Sequence, residues 1–283
     1  MAASSWSSKD LIALCKNSDH EQLLNALQQP AAVEVALSHE KVVDDGCYRL
    51  NKLNLERMLV AAVRADDDTM VETLLKFGQK QDVKVDAMLT TEVIMRALDK
   101  SALPLIRKLE VLDPNIFTRY LSPGFTILML ASDGGPFGEK PPCNTYLPLM
   151  QYMMERGVDP NCPWIAKAHG PGTVLYQACR TASSKIVECL LKHGAIVAGS
   201  GAARVAAEHG RIKVLKLLLQ YGADLNECFD TQPPFGPLGT ALHTATYYRR
   251  DAVIEWLLEH GADPSIRNSE GKAVAGIVPV TLR

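Results

Sequence analysis

The stretch GTALHTA, Gly239–Ala245, followed by VIEWLLEHGADPS, Val253–Ser265, sets one segment of small residues ahead of one built from Val, Ile and Leu. The second part spaces its apolar residues as one face of a helix and ends at Gly261, so the pair reads as a helical hairpin followed by a turn. Its second half recurs. LMQYMMERGVDPN at Leu149–Asn161 and VLKLLLQYGADLN at Val214–Asn226 end alike, and IVECLLKHGA at Ile186–Ala195 shares the helical half.

A fixed offset extends the pattern across the chain. Ala178, Ala206 and Ala245 are each followed 12 and 13 positions later by two leucines, as is Ala62 upstream. Ala97 precedes Leu109 by 12 positions, and Cys15 takes the small-residue place before Leu27. With Ala131, these anchors define seven hairpins. In each, the first helix needs small residues to lie close against its neighbour, and the second supplies the aliphatic core. Gly157, Gly194, Gly222 and Gly261 are placed to stop the second helices in a left-handed conformation.

These residues resemble the ankyrin repeat, a helix-turn-helix unit of about 33 residues with a T-P-L-H-x-A start and a glycine-terminated second helix. GTALHTA with VIEWLLEHGADPS is the best copy, GTVLYQACRTASSKIVECLLKHGA is a good one, and the copies before residue 120 are degenerate. The long proline-rich interruptions and the GTAL start are similar to ankyrin proteins of fungi. The resemblance implies an all-α ankyrin-repeat solenoid of about six to seven units with long loop insertions. Residues 1–53 are expected as N-terminal capping helices and linker and residues 54–283 as the array, best over 172–267, in a single elongated domain. It further implies that Thr240 and His243 hydrogen-bond each other and order the turn, which makes His243 structural. The same place holds Tyr176, Arg204 and Met129 in other copies, so looser loops are expected there.

Composition narrows the class of function. The chain has 283 residues, a net charge of -2, 47% hydrophobic and 22% charged residues, close to ordinary soluble usage. It carries no excess of basic residues to neutralise phosphates, which argues against a nucleic-acid binder. The N-terminal MAASSWSSKDLIALCK lacks the basic and apolar regions of a secretory signal, and no apolar run reaches the roughly 18 residues of a membrane span. Seven cysteines, an odd number without a CxxC pair, read as reduced thiols in a cytoplasmic or nuclear protein.

Catalytic signatures are missing. No GxSxG, HExxH, P-loop or GxGxxG is present. RADDDTM, Arg64–Met70, reads as a solvated turn between helices rather than a metal site. No cofactor and no metal are expected. Three Pro- and Gly-rich interruptions, residues 132–146, 162–172 and 227–239, carry aromatic residues. Trp164, Phe229 and Phe235, with Tyr247, Tyr248, Arg249 and Arg250, are of types enriched in interaction hot spots and form the expected binding set.

The reading is therefore a non-catalytic protein-interaction module, acting as adaptor, inhibitor or transcriptional co-regulator through its concave surface and extended loops. Its expected partners are proteins. The alternative is an enzyme built in the loops, with Cys143, Cys162 or Cys228 as nucleophile and His169 as base; a thiol of depressed pKa would mark it. The chain is expected to be a monomer with an incompletely capped C-terminus, where Val274, Ile277 and Val278 cover the last hairpin and leave room for a further contact.

Overall fold

In the computed structural model, the described residues are 6–43, 49–99, 103–121, 125–133, 146–162, 173–228, 239–268 and 270–274. Seven helical hairpins run along them, one for each sequence anchor: α1 (Ser8–Lys16) with α2 (His20–Ala26), then α4 (Asn54–Arg64) with α5 (Asp68–Lys80), and α7 (Thr91–Asp99) with α8 (Leu103–Leu112). The remaining four are α9 (Ile127–Asp133) with α10 (Leu147–Glu155), α11 (Val174–Thr181) with α12 (Ser184–Lys192), α13 (Ala202–Glu208) with α14 (Ile212–Gln220), and α15 (Ala241–Tyr247) with α16 (Asp251–Glu259). Cys15, Ala62, Ala97, Ala131, Ala178, Ala206 and Ala245 are all fully buried, each on the first helix of its hairpin. The small residue at this place is thus a packing requirement. It lets one first helix approach the next, and a larger side chain would force them apart.

The chain divides into two units, residues 1–116 and 117–283. In the first, α1 packs on α4 and α4 on α7. Two extra helices, α3 (Pro30–Leu37) and α6 (Val85–Met88), also pack on α4. Between α3 and α4 lies an antiparallel pair, β1 (His39–Val43) and β2 (Arg49–Leu53), in the register His39 opposite Leu53 and Val43 opposite Arg49. This ladder stands where capping helices and linker are expected from sequence. HEKVV ends on two β-branched residues, which favour an extended chain. Buried Asn54 joins the pieces, its amide donating to the Val35 carbonyl at 3.0 Å and to Ser38 at 3.1 Å.

In the second unit the first helices stack in the order α9, α11, α13, α15, and the second helices α10, α12 and α14 form the layer beside them. The four terminating glycines have φ of 78° (Gly157), 89° (Gly194), 85° (Gly222) and 92° (Gly261). After α12 the Ala195 N–H reaches the Leu190 carbonyl and the Gly194 N–H the Leu191 carbonyl. This double closure repeats at the other three glycines and satisfies carbonyls that the helix end leaves open.

The turns that follow are tied from repeat to repeat. Asn161 donates to the Gly194 carbonyl at 3.0 Å and accepts from the Ile196 N–H at 2.8 Å. One repeat pair later, Asn226 does the same to the Gly261 carbonyl and the Asp263 N–H. The preceding aspartates, Asp159 and Asp224, hold each asparagine by accepting its N–H at 2.8 Å.

Candidate protein-interaction surface

Both ring nitrogens of His243 are engaged in the fold. Its Nδ1 accepts from the Thr240 N–H at 3.3 Å and lies 3.0 Å from the Thr240 hydroxyl, while Nε2 lies 3.0 Å from the Lys272 carbonyl. A carbonyl only accepts, so Nε2 carries the proton and donates, leaving Nδ1 to accept from both Thr240 groups. The ring is buried and links the start of α15 to the next turn. In the earlier copies Thr126 and Thr173 hold the threonine place. Thr173 accepts from the Tyr176 N–H at 3.1 Å and Thr126 from the Met129 N–H at 3.3 Å, so these turns keep a cap without histidine.

What replaces the histidine in the middle copies creates a surface. Tyr176 on α11 and Arg204 on α13 occupy its place in adjacent repeats, close enough for the Arg204 charge to act on the Tyr176 phenol. Burial pushes the Tyr176 phenol above its ordinary pKa, with Arg204 opposing. Glu208, one turn along α13, lies near Tyr248; burial and then the Glu208 charge hold that phenol high as well. Tyr247 stacks edge-on against Tyr248 with centroids 5.1 Å apart, and is 66% exposed. Arg180, Arg211 and Arg250 surround His209, where burial first and then these three charges depress the imidazole against the pull of Glu208.

Two of the arginines also hold the stack together. Where Asp19, Asp67 and Ser183 cap their second helices with a side chain, Arg211 and Arg250 stand at the N-cap of α14 and α16 without capping them. Arg211 instead donates back to carbonyls at the end of α11: Ala178 at 2.9 Å, Cys179 at 2.8 Å, and Ala182. Arg250 does the same to α13, its Nε donating to the Glu208 carbonyl at 2.8 Å. A cation at a helix C-terminus complements the dipole.

Of the residues singled out from sequence, Tyr247, Tyr248, Arg249 and Arg250 come together at the end of α15. Arg249 is exposed in a turn with φ 51°. Trp164, Phe229 and Phe235, with Cys143, His169, Ile277 and Val278, lie outside the described residues. Sequence reading missed Tyr176, Arg180, Arg204 and Glu208. For Tyr176 and Arg204 the signal was the departure from histidine at one place in successive copies; Arg180 and Glu208, one turn further on, carried none. Burial pushes the Cys162 thiol up, opposite to the shift that activates a nucleophile. Cys228 is exposed. Among the described residues no three His, Cys, Asp or Glu side chains are grouped as a metal site, and no helix is long and apolar enough to cross a membrane.

Family models agree with the repeat geometry. A model of three ankyrin repeats matches residues 142–228, and a single ankyrin repeat matches residues 239–269. Residues 142–228 and 239–269 are thus ankyrin repeats. It is 29% identical over 144 residues to an ankyrin repeat protein of Fowlpox virus (strain NVSL), FPV031, an alignment covering 48% of this chain and 40% of the viral protein. Ankyrin repeats are protein-interaction modules, and their stacks offer extended surfaces for binding.

Proposed function

We propose that this ankyrin-repeat chain is a non-catalytic adaptor or inhibitor that engages a partner protein through the inner face of α11, α13 and α15. The observation that carries the reading is the tyrosine and arginine cluster on that face. Tyr176, Tyr247 and Tyr248 offer rigid, amphipathic contact area, and Arg180, Arg249 and Arg250 offer directional donors, with Glu208 the carboxylate among them and buried Arg204 beneath. Tyrosine and arginine are the types that dominate interface energetics. In a chain of net charge -2, this local excess of cations favours a partner segment that carries acidic groups.

The regulatory version, a co-regulator of transcription, rests on the same face and requires a reducing compartment, cytoplasm or nucleus. The buried thiols of Cys15 and Cys179 fit such a compartment. The chain acts as a monomer in this reading. Val274 is fully buried at its described end, and the last turn remains the place for any further contact.

The test is affinity capture from the source cells, comparing the parent with a Tyr247→Ala, Arg249→Glu variant. Both positions are exposed, so the fold should tolerate the change. Proteins captured by the parent and lost by the variant, at unchanged melting temperature, support the assignment. Equal capture removes it.

A further inference from the structure

A second feature lies in the unit of residues 1–116. A pocket of about 510 Å³ opens between α1, α4, α7 and the β1–β2 pair. Its volume falls in the range of small-ligand sites. Four cations line it: Lys16 from the last turn of α1, Lys52 from β2, and Arg57 and Arg64 from α4. Two carboxylates face them, Glu56 and Glu92.

The pairing within the pocket leaves an imbalance at its mouth. Glu92 is shared, one oxygen bonded to Lys52 and the other 3.8 Å from Arg64. Arg57 is held at 2.8 Å by Glu40, which lies outside the lining, and at 2.6 Å by Asn54. Glu56 is 8% exposed and accepts from the Thr90 hydroxyl at 3.1 Å. Burial drives its carboxyl above the ordinary range, against the pull of the Thr90 hydroxyl and of Lys52. Lys16 has no ion pair among the described residues, and Arg64, 55% exposed, has only the long contact to a carboxylate that already serves Lys52. Among the described residues, two cations from successive first helices therefore converge on one cavity without a full countercharge. Low-dielectric walls strengthen the field that such a cleft presents to an anion.

Part of the wall is apolar. Ile12, Val42, Val60 and Ala61 complete the lining, and the volume far exceeds what a bare inorganic anion fills. We propose that this pocket binds an organic anion, a carboxylate or phosphate carried on a compact apolar body, with Lys16 and Arg64 as its charge partners. Lys52 and Arg57 stay with their carboxylates and shape the floor. The anion comes either from a free small molecule or from an acidic side chain of a bound peptide. The proposal stands apart from the tyrosine and arginine face, which belongs to the other unit.

Their position in the last turns of α1 and α4 would suit Lys16 and Arg64 to the helix dipoles alone. The experiment separates the two roles. The full chain is titrated calorimetrically with phenyl phosphate, with benzyl alcohol as its neutral counterpart, with inorganic phosphate, and with a capped leucine–glutamate tetrapeptide. Saturable binding of phenyl phosphate, weakened about tenfold or more by Lys16→Gln with Arg64→Gln and kept by Lys16→Arg, supports the site and a free-molecule source. Saturable binding of the peptide alone, with the same dependence, supports the site and a peptide source. Equal binding of benzyl alcohol, unchanged binding in the double glutamine variant, or no saturation by either organic probe overturns it. So does a double variant that lowers the melting temperature in a chain that binds none of the probes, since the two cations then serve only the helix ends.

Discussion

Nε2 of His243 donates to the carbonyl of Lys272 across 3.0 Å, tying the start of α15 to the turn that closes the following repeat. The same ring accepts from Thr240 through Nδ1, so one side chain caps a helix and fastens its successor. His243→Ala should lower stability by about 1–2 kcal/mol, the scale of a lost cap with a buried acceptor exposed. Partner capture should persist, because the ring is buried and both its nitrogens are engaged within the fold. Thermal unfolding and affinity capture of the same variant decide it: lost capture at unchanged melting would show that His243 touches a ligand.

Arg211 donates to the carbonyls of Ala178, Cys179 and Ala182. Arg211→Met keeps most of the aliphatic stem and removes the donors, leaving helix-end carbonyls without them. Its expected cost is about 2 kcal/mol, the range for hydrogen bonds to a charged group. Urea unfolding would read the change in midpoint. An unaltered midpoint would mean that water replaces the arginine at no cost.

Asp67 tests the unit of residues 1–116. Burial works to raise its pKa, but the Met70 N–H, Ser18 and His20 outweigh it and hold the carboxyl below its ordinary value. A group whose folded pKa is depressed contributes stability above its unfolded pKa, and the contribution is lost as pH falls through the folded value. Asp67→Asn keeps an N-cap acceptor for Met70 and removes the charge. The variant should be less stable than the parent near neutrality, and the gap should close below about pH 4, where the unfolded carboxylate titrates. A gap that stays constant with pH would contradict the assignment.

Burial pushes the Cys15 and Cys179 thiols up to about 12. Both should resist alkylation in the native protein at pH 8 and react only after unfolding, while exposed Cys228 reacts early. Mass mapping of the alkylated sites follows this directly. Rapid labelling of Cys179 in the folded chain would mean that α11 opens far more readily than its packing implies.

The hairpins were legible because their cause is local and periodic. A buried alanine followed by two leucines 12 and 13 positions on is a packing rule written four times over. The Thr240 and His243 pairing was legible only through the resemblance to the ankyrin repeat, whereas the positive-φ glycines were legible from the recurring helix ends. β1 and β2 were not, since the five residues of each strand carry a weak pattern that the neighbouring helices complete. Nor was the cluster of Tyr176, Arg204 and Glu208. Each looked like an isolated departure from a motif, and only the stacking of α11 on α13 brings the first two together. Arg250 shows the opposite gap. Its type suggested a binding residue, and the structure adds a bond to the Glu208 carbonyl that sequence spacing does not reveal.

Hydrogen exchange on the complex with a captured partner tests the central claim most directly. The account predicts added protection over residues 174–181, 202–209 and 241–250, the first helices and the turn that carry the tyrosines and arginines. Residues 184–192 and 212–220, in the second-helix layer, should exchange as in the free chain. Protection confined to that second layer, with none on α11, α13 and α15, would contradict it.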